Sequence, residues 1–119
     1  MIAIALAHLA LGLWQVISPG SFFETIGGFG VENDHYIRDA ATFPLAIAVA
    51  AWLAASRPSW QAPILTVLAA WYGAHALNHL VDIDDSNDGW VGITDFVSLA
   101  GSAAALGWLA NRASRRAPQ

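Results

Sequence analysis

Residues 58–81 read PSWQAPILTVLAAWYGAHALNHLV, and this stretch decides the fold. It contains no charged side chain and is longer than the roughly 20 residues that an α-helix needs to cross a bilayer. Its second half and the residue that follows place polar side chains on one helical stripe: His75, Asn78, His79 and Asp82, with Trp71 one turn earlier. At about 100° per residue, both imidazoles and the carboxylate fall within about 60° of arc and can face one ligand or partner. Polar groups in a membrane span are costly and usually serve a function.

The composition of the 119-residue chain agrees with a membrane protein, because 56% of residues are hydrophobic and only 12% are charged. Apolar residues form four blocks, which predict spans at about residues 1–18, 37–56, 61–82 and 91–111. The first block lacks the basic start of a signal peptide and is interpreted as a retained span. We therefore predict an all-α integral membrane four-helix bundle with short loops, as one domain over residues 1–119, with the lipid bilayer as its surroundings.

Absent residue types exclude several chemistries. The chain has no cysteine, so disulfides, thiolate metal sites and dithiol redox chemistry are excluded. It has no lysine, which excludes a Schiff-base chromophore and a lysine nucleophile. The net charge is −4, and no nucleic-acid partner is expected.

Charge is sorted by position along the chain. Arg57 lies between the second and third blocks, and three more arginines follow the fourth block: Arg112, Arg115 and Arg116. An even number of spans places both regions on the same side, which the positive-inside rule assigns to the cytoplasm. All nine acidic residues belong to the opposite loops or the adjoining helix ends. The sequence therefore predicts a multi-pass cell-membrane protein with both termini in the cytoplasm and an acidic outer face.

The other predicted spans also carry polar faces. The first has His8 and Gln15, the second opens with Arg38 and Asp39, and the fourth carries Asp95. Since lipid cannot solvate these groups, we expect them to point inward and form a polar pocket that opens outward. The predicted pocket residues are His75, Asn78, His79, Asp82, Arg38, Asp39, Asp95 and Gln15.

The first outer loop contains a helix-start pattern. Residues 21–24 read SFFE, which is a capping box, and Gly27 and Gly28 follow as a helix stop. We therefore expect a short helix in the membrane interface.

One interpretation of the pocket is a metal site. His75 and His79, with a carboxylate from Asp82, Asp39 or Asp95, would suit zinc, manganese or non-haem iron. The alternative is that these side chains only join helices, with Arg38 paired to Asp82 or Asp39 in a salt bridge. A proton or cation relay is a further interpretation, although a pocket open on one side fits the apolar inner half better than a pore. Haem is not expected, because His8 and His75 lie at different depths and His75 and His79 share one helix.

The acidic segment after the stripe resembles an EF-hand calcium loop. Asp84, Ser86 and Asp88 match ligand positions one, three and five, and Gly89 matches the turn glycine. Position twelve is Asp95, where the family has a bidentate glutamate. The alternative is a plain acidic turn.

The order of elements resembles that of small four-helix membrane proteins related to the DoxX-like families, many of them uncharacterised. The resemblance rests on the short first span, the Gly27-Gly28-Phe29-Gly30 loop, the Arg38-Asp39 opening of the second span and the polar end of the third. It implies a role near membrane redox or quinone chemistry and assigns no catalytic residue.

Together, these patterns predict that the pocket binds a small polar ligand or a divalent metal on the outer side. One alternative is a quinone-linked membrane oxidoreductase subunit in which His79 or His75 shuttles a proton to the quinone. Another is a structural or accessory subunit of a membrane complex, which would need an oligomer or a partner membrane subunit.

Overall fold

The computed structural model describes residues 1–116, and this part of the chain folds into five helices. They are α1 (Ile2–Ile17), α2 (Pro19–Thr25), α3 (Asp34–Ala55), α4 (Pro58–Val81) and α5 (Gly89–Ser114). The all-α prediction is confirmed.

Three of the helices, α3, α4 and α5, are long and apolar enough to cross a membrane. The first apolar block differs from the others, because α1 has only 16 residues and the chain then bends by 113° into α2. The structure thus has three candidate spans, or four if α1 and α2 together count as one. These features indicate a membrane protein.

The contacts of the described residues group into two compact units, residues 1–56 and residues 57–116. In the first unit, α1 packs on α3, and the buried residues of α1 are spaced three or four apart: Ala5, His8, Gly12 and Gln15. Gly12 allows this close approach, since a Cβ there would lie 2.7 Å from Leu45 Cγ and 3.3 Å from the Ala41 carbonyl oxygen. Asn33 caps α3, and its side-chain oxygen accepts hydrogen bonds from the backbone N–H groups of His35 and Tyr36.

The short helix predicted in the first outer loop is present, but its predicted start at Ser21 is wrong. Helix α2 begins with Pro19, after Ser18 as the N-cap residue. Proline favours this first position because its fixed φ suits a helix and its missing N–H needs no partner there. Ser21 therefore lies inside α2, where its hydroxyl accepts a hydrogen bond of 3.3 Å from the Trp14 indole.

The second unit is an antiparallel pair of long helices, α4 and α5, joined by the turn at residues 82–88. Gly73 on α4 faces Ala103 on α5, and further along Gly107 on α5 faces Ala69 on α4. The glycines bring the two backbones close together, as small residues do between membrane helices. At the turn, Gly92 of α5 packs directly against the backbone carbonyl of Ile83.

Candidate functional site

The centre of the candidate site is a pair of histidines one turn apart on α4. The Nε2 atoms of His75 and His79 lie 3.0 Å apart, which is hydrogen-bond distance. Their rings stack, with centroids 4.8 Å apart and an interplanar angle of 28°. The sequence placed both rings on one stripe, and the structure shows that they contact each other directly.

Asp95 on α5 extends this pair across the helix interface. Its Oδ2 atom lies 3.8 Å from Nδ1 of His79, and the two side chains are only 17% and 12% exposed. A carboxylate at this distance, largely shielded from water, favours the tautomer of His79 with its proton on Nδ1. In a neutral His79 the Nε2 atom then accepts the hydrogen bond, and His75 donates it.

Trp71 forms the next contact on the same stripe. Its ring meets His75 edge to face, with centroids 5.0 Å apart and an angle of 77°. The ring of Tyr72, the next residue, meets the Trp71 ring edge to face, with centroids 5.0 Å apart and an interplanar angle of 86°. The described site is therefore a series of four side chains: Trp71, His75, His79 and Asp95.

Asn78 and Asp82, the other members of the predicted stripe, contact each other. The Asn78 amide donates to Oδ2 of Asp82 at 3.4 Å, and Asp82 is the C-cap residue of α4. The carboxylate within ion-pair distance of His79 is that of Asp95 on α5, whereas Asp82 ends α4 and is also close enough to act electrostatically on His79.

The remaining predicted pocket residues lie in the first unit. Arg38 donates to Asp34 at 3.1 Å and to the Val16 carbonyl at 3.4 Å. The carboxylate that pairs with Arg38 in the first unit is therefore Asp34, one turn earlier on the same face of α3, in place of the predicted Asp39.

Asp39 and Gln15 are the other two predicted pocket residues that lie in the first unit. Asp39 lies 3.4 Å from His35, again one turn away on α3. Gln15 is only 7% exposed and lies on the buried face of α1 together with His8, which donates from Nδ1 to the Ile4 carbonyl at 2.8 Å. Asp39 thus has a partner close in sequence, whereas the buried side-chain oxygen of Gln15 has no hydrogen-bond partner among the described residues.

Metal ligation receives limited support from the geometry. Within residues 1–116, no group of three or more His, Asp or Glu side chains is arranged to hold a metal ion. The histidine pair offers two nitrogens, and Asp95 approaches His79 from its far ring nitrogen.

The segment that resembles a calcium loop has a different structure. Helix α5 begins at Gly89, so the second half of the predicted loop is already helical. The Ser86 hydroxyl donates to the Asp88 carbonyl at 2.9 Å and accepts from the Gly92 amide at 3.3 Å. Asp95 lies at His79, almost two turns into the helix. The segment is an acidic turn followed by a helix.

Comparisons with known proteins found no matching family model, no similar curated protein and no similar solved structure. The resemblance to DoxX-like proteins therefore stays a prediction from the order of elements. The fold and the site together define a helical protein with three membrane-length helices and a polar Asp-His-His series on the last two.

Proposed function

We propose that this chain is a four-span membrane protein that binds a small polar ligand at His75, beside Trp71, and accepts a proton from it. Both termini would lie in the cytoplasm, and the site would lie in the outer half of the membrane. The observation that carries the proposal is the series in which Asp95 approaches His79 and His79 contacts His75.

The hydrogen bonds of the series would pass a proton in one direction, from a ligand at His75 to His79. When Nε2 of His75 donates to His79, Nδ1 of His75 is left as a hydrogen-bond acceptor. A ligand hydroxyl can then give its proton to that nitrogen, while the Nε2 proton of His75 passes to Nε2 of His79. The resulting His79 imidazolium is stabilised by the Asp95 carboxylate, as in other paired imidazole and carboxylate sites.

Quinols are the ligand class that this chemistry suits best. A quinol carries an acidic hydroxyl on a flat, membrane-soluble ring, and Trp71 provides an aromatic surface next to His75. Oxidation of a quinol releases two protons and two electrons. The histidine series would take up one proton, the second would pass to water on the outer side, and a partner redox subunit would accept both electrons.

A divalent metal is the second candidate, because of one specific distance. Two nitrogens 3.0 Å apart can bind one ion at about 2.0–2.1 Å, provided that neither Nε2 carries a proton. Asp95 would then orient His79 from its second nitrogen, as carboxylates commonly do for metal-bound histidines. The remaining ligands would have to come from outside this histidine pair.

The same wild-type and variant proteins can distinguish a quinol-binding site from a metal site. Wild-type protein in lipid nanodiscs is titrated with a short-chain quinol by calorimetry, and its metal content is measured by mass spectrometry. The His75→Ala/His79→Ala variant should lose quinol binding, whereas Asp84→Asn, which removes an exposed carboxylate from the neighbouring turn, should keep it.

Each outcome assigns a function. Quinol binding by a metal-free wild type supports the proton-accepting site. Stoichiometric metal that is lost in the double variant supports the metal site. A wild type that binds neither, together with a double variant that unfolds more easily, contradicts both and leaves the series as a contact that joins α4 to α5.

A further inference from the structure

The end of the second unit opposite the acidic turn carries concentrated positive charge. We call this region the arginine end. It lies at the start of α4 and the end of α5, and it contains Arg57, Trp60, Trp108, Arg112, Arg115 and Arg116. The helices are antiparallel, with Gly107 of α5 facing Ala69 of α4, so the end of α5 lies beside the start of α4. Residues 58–81 and 96–116 contain no acidic side chain.

Two of the arginines lie over tryptophan rings. The guanidinium carbon of Arg112 lies 4.6 Å from the ring centroid of Trp108, and that of Arg57 lies 5.2 Å from Trp60. A guanidinium held in such a cation–π contact still offers a planar fork of N–H donors. Such a fork is suited to binding phosphate oxygens in pairs.

The tryptophans place these arginines at the depth of lipid phosphates. Trp60 and Trp108 are 46% and 56% exposed, and tryptophan concentrates at the boundary between acyl chains and headgroups. At about 1.5 Å per residue, α4 and α5 are about 36 Å and 39 Å long and exceed a hydrocarbon core of about 30 Å. Their ends therefore reach the headgroup layer.

We propose that the arginine end binds the phosphate of an anionic phospholipid, with its acyl chains along the exposed tryptophans. On α4 the exposed side chain of Val67 lies two turns from Trp60 toward the middle of the helix and continues this apolar surface. A soluble phosphate would use only the arginines, whereas a lipid uses both parts of the surface. The complementary charge selects an anionic headgroup over a zwitterionic one.

The test measures lipid selectivity. Purified protein is incubated with an equimolar mixture of phosphatidylglycerol and phosphatidylcholine, and bound lipids are counted by native mass spectrometry. The wild type should retain phosphatidylglycerol preferentially. Arg57→Gln/Arg112→Gln should weaken that binding roughly thirtyfold, about fivefold for each arginine. Arg38→Gln, which removes an arginine of the first unit, should change it less than threefold.

Several results would overturn the proposal. These are equal retention of both lipids by the wild type, a double variant within threefold of wild type, and an equal loss in Arg38→Gln, which would indicate a bulk charge effect. Displacement by inorganic phosphate at the same concentration as the lipid would identify a phosphate-ion site. Circular dichroism checks the fold, and if the double variant misfolds, wild-type binding that does not weaken with added salt overturns the proposal.

Discussion

Replacing Gly92 by alanine tests whether close packing at the turn outweighs helix propensity in the stability of the α4–α5 unit. Gly92 lies in the first turn of α5, and a Cβ there would overlap the carbonyl oxygen of Ile83. The same Cβ would lie 3.1 Å from the Ile83 carbonyl carbon and 3.1 Å from the Ser86 hydroxyl. A backbone carbonyl cannot rotate away as a side chain can, so the turn itself must move.

The magnitude follows from three opposing terms. Alanine gains about 1 kcal/mol over glycine as a helix former. Overpacking against backbone costs about 1–3 kcal/mol, and the displaced turn loses the hydrogen bond from the Gly92 amide to Ser86, worth about 1 kcal/mol. Gly92→Ala should therefore lower the free energy of unfolding by about 1–3 kcal/mol.

Gly101 provides a matched control on the same helix. No described atom lies within 4 Å of a Cβ added there, so Gly101→Ala should raise the free energy of unfolding by about 1 kcal/mol. Both variants would be unfolded with SDS in mixed micelles and followed by circular dichroism. The two should differ by about 2–4 kcal/mol, and equal stabilities within about 0.5 kcal/mol would refute the reasoning. Since Asp95 lies one turn after Gly92, quinol binding should fall only in Gly92→Ala.

Three further perturbations test the cap, the site and the topology. Asn33→Ala should destabilise the protein by about 1 kcal/mol in the same unfolding assay, because it removes the acceptor for two N–H groups of α3; no change would contradict the cap. Asp95→Asn should weaken quinol binding roughly tenfold in calorimetry while the helices stay intact, because the His79 imidazolium loses its counter-charge; wild-type affinity would rule out the proton-accepting series. The chain has no cysteine, so a single introduced cysteine reports its own side of the membrane. A thiol reagent added to intact cells should label Asp85→Cys, and it should label Ser114→Cys only after the cells are permeabilised. The reverse pattern would contradict the predicted topology.

The helices themselves could be predicted from hydropathy, but their ends could not. The block at about residues 37–56 corresponds to α3 (Asp34–Ala55), and the block at about 61–82 to α4 (Pro58–Val81). Hydropathy marks the segment that avoids water, whereas helix ends depend on caps such as Asn33 and on Pro58 in the first turn. The helices therefore begin up to a turn before the apolar blocks.

The candidate site was also predictable only in part, because contacts within one helix follow from the sequence and contacts between helices do not. Helical periodicity alone predicted that His75 and His79 share a face, because their spacing is fixed within one helix. It could not decide which of several carboxylates lies beside His79. That choice depends on the length of the turn and the rotation of α5, which bring Asp95 close and leave Asp82 as a cap.

The short first helix has a consequence for the surrounding lipid. With 16 residues, α1 spans about 24 Å before the chain bends by 113°, about 6 Å less than a typical hydrocarbon core. If α1 lies in a bilayer, the lipids beside it would thin locally to avoid covering its polar flanking residues with acyl chains, at a cost of a fraction of a kcal/mol per ångström. This hydrophobic mismatch would favour thinner membranes and give the bilayer itself an influence on where the protein accumulates.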